Sequence, residues 1–285
     1  MIGIITDSTC DIPETLIEQY GIVVIPQMII WEDKQYRDRI DMQPKEFYDR
    51  LTVSPQYPHS SMPGIQDFQE AFKKAINQGA TELIILTVSS AMSGTYEMAK
   101  NAVKSLKINT AVVDSKGPTM SLGWQVLAAA RARDMGADFT SILNYVDQVR
   151  KKMCQFVAMN SIEYLQKGGR IGEAVKWAGT LLKVKPLVKI NHLTGLVEPV
   201  SLARTHDALV DLLYKKFFEQ INKLNWGNNL RIAVLHGNAL EAAEALAERI
   251  RKEYNPIELL INITGPVLGI NTGPGALALC GYRED

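Results

Sequence analysis

Apolar runs of four to six residues alternate with amphipathic stretches along the first half of the chain. Residues 2–5 read as a strand, and Asp11-Ile-Pro-Glu-Thr15 opens a helix with Asp11 as its cap and Pro13 in the first turn. Residues 22–26 read as the next strand and 31–40 as a polar hairpin. Residues 43–51 form a helix with Phe47, Tyr48 and Leu51 on one side, and 55–63 a loop. In residues 65–78, Phe68, Ala71, Phe72 and Ala75 recur at helical spacing. Residues 83–88 and 110–113 read as strands, 96–103 and 120–134 as helices. Such alternation predicts right-handed crossover units, hence an α/β fold with a mainly parallel sheet and flanking helices.

After Gly136 the pattern changes. Helices are expected at 139–152, 205–222 and 239–254, and strands at 155–159, 196–200, 230–236 and 258–264. Residues 181–190 contain Pro186 and read as an edge or bulged strand, 192–195 as a turn. Within the glycine-rich residues 265–275, Gly273-Pro-Gly275 reads as a tight turn rather than as a nucleotide loop, since no lysine follows it. Strands now come in neighbouring pairs between fewer helices, which predicts an α+β domain with a mixed sheet. A boundary near 150–155 then separates an α/β domain, residues 1–153, from an α+β domain, residues 154–285.

Composition narrows the function. Lysine plus arginine equals aspartate plus glutamate, 31 each, which argues against a nucleic-acid binder or a protein held on anionic membranes. Cys10, Cys154 and Cys280 are far apart and the chain has only four histidines, so neither a disulfide framework nor a zinc site is indicated. No metal and no cofactor is expected. The chain starts directly in a strand, and its longest apolar run, 21–31, is broken by Pro26 and Gln27. A cytoplasmic protein without a transmembrane segment is the expectation, with transient membrane contact left open.

The stretch Val88-Ser-Ser-Ala-Met-Ser-Gly-Thr-Tyr96 carries the clearest chemistry. It joins a strand to a helix, where backbone N–H groups lack intrahelical partners and the helix dipole favours an anion. Ser89, Ser90, Ser93 and Thr95 add hydroxyls, and Gly94 permits close approach. An ordinary helix cap would use the same residues. Two further strand ends, Thr6-Asp7-Ser8 and Asp114-Ser115, are expected at the same sheet edge, where ligands of open α/β sheets bind. A serine hydrolase is a weaker reading: Ala91 breaks the nucleophile motif, and His236 and Asp114 would have to complete a triad. In Gly168-Gly-Arg170 two glycines place an arginine suited to phosphate or carboxylate, though a helix C-cap glycine followed by a solvated arginine would read the same. His192 and His206 read as surface residues, and His236 as buried.

These segments, with Ile4-Ile-Thr-Asp-Ser-Thr-Cys-Asp-Ile-Pro13, Pro58-His-Ser-Ser-Met-Pro63, Tyr164-Leu-Gln-Lys-Gly-Gly-Arg-Ile171 and Thr272-Gly-Pro-Gly-Ala276, follow one another in the order of a known family. The chain resembles the DegV family, bacterial fatty-acid-binding proteins that include the FakB subunits of fatty-acid kinase. The resemblance implies one long-chain fatty acid held between two domains. It puts carboxylate-binding groups at Ser60, Ser93, Gly94, Thr95 and Asn271, with Ser61 a weaker candidate. It also implies a carrier that is not itself catalytic and that presents the carboxylate to a separate ATP-dependent kinase. Arg170 and Arg204 would then meet that partner or the acyl phosphate. Two departures stand out: Asn271 occupies the place of the family's common histidine, and the 58–63 loop lacks its glutamine. Burying roughly fifteen methylenes at about 0.8 kcal/mol each yields on the order of 12 kcal/mol gross, enough to hold such a ligand after ordering costs. The alternative function is a hydrolase or transferase acting on a small carboxylate or phosphate ester through residues 89–95.

Overall fold

The structure, a computed structural model, describes residues 1–177, 184–224 and 227–284. The first half runs β1 (Ile2–Asp7), α1 (Glu14–Gln19), β2 (Val23–Ile25), β3 (Met28–Trp31), β4 (Lys34–Arg37), α2 (Pro44–Leu51), β5 (His59–Ser61) and α3 (Ile65–Asn77). It continues through β6 (Glu82–Thr87), α4 (Thr95–Ala102), β7 (Asn109–Asp114), α5 (Met120–Asp134) and α6 (Phe139–Lys152). The second half runs β8 (Cys154–Ala158), α7 (Glu163–Lys167), β9 (Lys185–Asn191), β10 (Leu196–Ala203) and α8 (His206–Leu224). It ends with β11 (Asn229–His236), α9 (Leu240–Tyr254), β12 (Glu258–Ile263), α10 (Pro266–Thr272) and β13 (Leu277–Glu284).

The expected α/β architecture holds. Strands β2-β1-β6-β7 form a parallel sheet, and β10-β9-β8-β13-β11-β12 form a mixed one. Both faces of β1 are buried, as a helix-covered parallel sheet requires. Ile2 and Ile4 face α5, whereas Ile5 packs with Phe68, Phe72 and Ala75 of α3. In the mixed sheet the same alternation sends Cys154, Phe156 and Ala158 towards α8 and α9, and Val157 towards α5. Helix α5 therefore lies between the sheets: it packs against β1 and β6 on one side and β13 on the other. Nearly all of its residues are buried, and the indole N–H of Trp124 donates to the Cys280 carbonyl at 3.1 Å. Among the described residues no helix is long and apolar enough to cross a membrane.

Several local expectations change. Asp11 caps no α-helix: it follows a short helical turn with φ +50°, and α1 begins after Pro13. Its buried carboxylate instead accepts from Arg39 Nη2 at 2.5 Å and from the Gly265 N–H at 2.9 Å, because burial demands a cation or donors. The loop expected at 55–63 contains β5, which pairs with β3 and, with β4, makes a third, antiparallel sheet. The hairpin around 31–40 is present, turning at Glu32 and Asp33, both with positive φ. Residues 266–272, to which the sequence pattern assigns no element, are helical, with Pro266 in the first turn and Val267, Leu268 and Ile270 buried. Strand β9 is internal, paired with both β8 and β10; the register shift in its pairing with β10 falls on the partner strand, between Pro199 and Ser201. The part of that expectation covering 181–183 lies outside the described residues. His192 is half-buried rather than fully exposed: its Nε2 is buried with no partner among the described residues, and desolvation lowers its pKa to about 3. The three cysteines are buried and unpaired.

Asp38 shares the buried polar layer with Asp11 and Arg39. It accepts from the Ser8 hydroxyl at 2.6 Å, and desolvation pushes its carboxyl from 3.8 up to about 7. A carboxyl with a raised folded-state pKa contributes stability that is complete below its unfolded value and lost as pH rises through the folded one. The loss here spans the range from 3.8 to about 7. Asp38→Asn keeps an acceptor for Ser8 and removes the titration. Thermal unfolding should show the fall in Tm between about pH 5 and about pH 8 shrinking by several degrees in this variant. An unchanged pH profile would refute the assignment.

Candidate functional site

Three strand ends meet at the carboxyl edge of the parallel sheet. β6 lies between β1 and β7, and the two outer strands end in aspartates that grip the loop leaving the middle one. Asp7 accepts from the Val88 N–H at 2.8 Å and from both the N–H and the hydroxyl of Thr9. Asp114 accepts from the Ser90 N–H at 3.1 Å and pairs with Lys116 at 2.8 Å. The acidic strand ends thus build the serine loop rather than face a ligand. Desolvation raises the Asp7 pKa, which is tolerated because its oxygens are hydrogen-bonded.

On this scaffold Ser93 Oγ and Thr95 Oγ1 stand 2.8 Å apart, and Gln27 Nε2 donates to Thr95 Oγ1 at 3.0 Å. Thr95 is fully buried and orients Ser93 from behind. Gly94 caps α4, and a Cβ there would come within 2.7 Å of Met62 Sδ, so glycine lets the β5 segment close over the loop. β5 is held by β3, with Ser60 opposite Ile29.

Ser60, Ser61, Ser93, Arg170 and Asn271 line one cleft of about 780 Å³, counting its open mouth, between the two large sheets. Its walls are mostly apolar, with Val88, Met92, Val157, Met159, Val188 and Ile190 among them. Gly94 and Thr95 stand behind this lining, and Arg204 is exposed at the end of β10, outside it. Arg170 reaches over the mouth: its Nε donates to the Met92 carbonyl at 3.1 Å and its Nη1 to the Gly168 carbonyl at 2.6 Å. It thereby ties the Gly-Gly-Arg loop to the serine loop. Asn271 Nδ2 donates to the Val267 carbonyl of its own helix at 3.0 Å, and Oδ1 is buried without a partner among the described residues. A Cβ on Gly168 would sit 2.0 Å from that oxygen, so glycine is what admits the carboxamide.

The triad considered from sequence is not assembled. His236 Nδ1 accepts from the Ala239 N–H and lies off the cleft, Asp114 serves Ser90 and Lys116, and Ser93 is bonded to Thr95. Among the described residues no group of three or more His, Cys, Asp or Glu could hold a metal ion. Thr9, Gln27, Thr119 and Gln155 also line the cleft and escaped the sequence reading. Thr9 carried a signal as part of the hydroxyl-rich end of β1, and Gln155 carried one as a polar residue two places before Val157 and four before Met159 on one strand face.

The fold and cleft define a three-sheet α/β protein with a mostly apolar cleft between its two large sheets that also carries hydroxyls. The family model described as uncharacterised proteins of the DegV family matches residues 1–284, and the chain belongs to that family. It is 31% identical over 284 residues to a DegV domain-containing protein of Clostridium acetobutylicum, covering 99% of each. A Thermus thermophilus DegV family protein described by its fatty acid binding superposes with TM-score 0.91 at 27% identity, with 99% of each chain covered. Bacillus subtilis DegV, described as a fatty acid binding protein, superposes with TM-score 0.88 at 28% identity, again with 99% of each covered.

Thr95→Val removes the hydroxyl that both Gln27 and Ser93 use and takes from the buried Gln27 Nε2 its Thr95 acceptor. The loss should be about 1–3 kcal/mol in urea denaturation, with Thr95→Ser restoring most of it. Equal stability of the valine variant would show that the hydroxyl does not position Ser93.

Proposed function

We propose that this protein binds one long-chain fatty acid, its carboxylate among Ser60, Ser93 and Asn271 and its tail along the apolar cleft. The observation that carries the reading is the gathering of these three residues, from distant parts of the chain, in the lining of one mostly apolar cavity. The α4 N-terminus and Arg170 add positive potential there, and Ser61 is a weaker additional donor. In this reading residues 1–153 and 154–285 are two domains with the ligand between them. The fatty acid binding described for the T. thermophilus and B. subtilis proteins supports it, since both cover almost the whole chain.

The carboxylate end lies near the mouth that Arg170 spans, which suits a carrier that offers its ligand to a second protein. We assign that role to a separate ATP-dependent fatty-acid kinase in the cytoplasm. Arg170 would then meet the acyl phosphate or the partner, and exposed Arg204 the partner's surface. The chain itself would perform no catalysis.

Denaturing extraction of the purified protein, followed by mass spectrometry, should release about one fatty acid per chain. Ser93→Ala should weaken binding of added palmitate or oleate roughly tenfold to a hundredfold while unfolding normally, because a hydrogen bond to a charged group is lost. Absence of any acyl ligand together with no uptake of added acid would overturn the reading. Ester or phosphate turnover abolished by Ser93→Ala would replace it with the enzyme alternative.

A further inference from the structure

The cleft has a second polar feature, remote from its hydroxyl mouth. Along β8 the side chains of Gln155 and Val157, and of Met159 just beyond the strand, line it in succession. Met159 lies next to Asn160, whose amide donates to the Pro274 carbonyl beside Asn271's helix. Gln155 is four residues back, roughly 13 Å at strand rise. The neighbouring strand agrees: Val188 pairs with Val157 and Lys189 with Phe156, which brings Ile190 level with Gln155. The Gln155 end is therefore the inner end, where an acyl tail would terminate or pass.

Gln155 is only 1 % exposed, its Nε2 donates to Thr119 Oγ1 at 3.0 Å, and its Oε1 has no partner among the described residues. Thr119, 5 % exposed, is held at φ +56° and ψ −142°, a backbone region that β-branched residues avoid. That conformation sets the hydroxyl on Gln155, and the only bond it makes there is as acceptor, so its own proton stays available. An unpaired acceptor and an available donor thus stand side by side in a wall otherwise suited to hydrocarbon. An unsubstituted tail would leave both unsatisfied. An alcohol, which donates and accepts through one oxygen, matches both.

We infer that Thr119 and Gln155 select an acyl chain bearing a hydroxyl in its distal half, which donates to Gln155 Oε1 and accepts from the Thr119 hydroxyl. The inference rests on the fatty-acid reading above. The test is competitive titration of the full-length, delipidated protein with palmitate, stearate and their monohydroxy derivatives, the hydroxyl walked along the distal half. At least one isomer should bind about tenfold more tightly than its parent acid. Gln155→Leu should abolish that preference and bind the parent acid several-fold more tightly. Equal or weaker binding of every hydroxy isomer would overturn the inference and leave the fatty-acid reading standing. That result would mean that solvent from the depression behind Gln155, flanked by Arg150, Lys189 and His192, satisfies the pair. Failure of plain and hydroxylated acids alike would remove both.

Discussion

Helix α5 is buried on every side except at its C-terminal turn, and the placement of everything else depends on that. A helix sandwiched between two sheets must be small where backbones approach and apolar nearly all round. Ala128, Ala129 and Ala130 meet the first demand, and Gly123 meets it most tightly, since a Cβ there would come within 2.5 Å of the Cys10 carbonyl. One continuous core then joins Ile4 and Leu86 of the parallel sheet to Ala278 and Cys280 of the mixed one. The cleft opens beside this shared layer, so its two walls hold a defined separation.

Around the cleft, polar groups are tied to structure before any ligand is considered. Asp7 and Asp114 hold the serine loop from both sides, Gln27 and Thr95 hold Ser93, and Arg170 spans the mouth. Links between the halves repeat the theme, with Ser89 Oγ on the Gly195 carbonyl and Arg39 on Asp11 and the Ile263 carbonyl. Such fixed groups reduce the ordering cost that binding an elongated molecule would otherwise carry.

How much of this was legible in the sequence follows from the range over which each feature is determined. The parallel strands and their helices are local patterns and were readable; so was the serine loop, a run of hydroxyls directly after an apolar strand. β5 was not, because His59-Ser-Ser61 has no strand character of its own and is paired through Ile29. Helix α10 was hidden by its glycines and is sustained by burial: Gly269 lies against the rings of Phe47 and Tyr48. Pro186 suggested an edge, yet at that position β9 needs only a carbonyl, which accepts from the Met159 N–H. Ser60 and Asn271 were reachable only through family motifs, since nothing local distinguishes them.

Thr119 shows why the remainder could not be read locally. No residue preference predicts a threonine in a glycine-like conformation. The cause is global: α5 is positioned by both sheets, and the residue just before it must connect that fixed helix to the loop leaving β7, whose Ser115 and Gly117 are themselves hydrogen-bonded. Strain of this kind persists where surroundings over-determine the backbone. Relief by glycine would remove the hydroxyl that Gln155 uses. The packing that brings two sheets onto one helix therefore also decides which polar atoms face the inner end of the cleft.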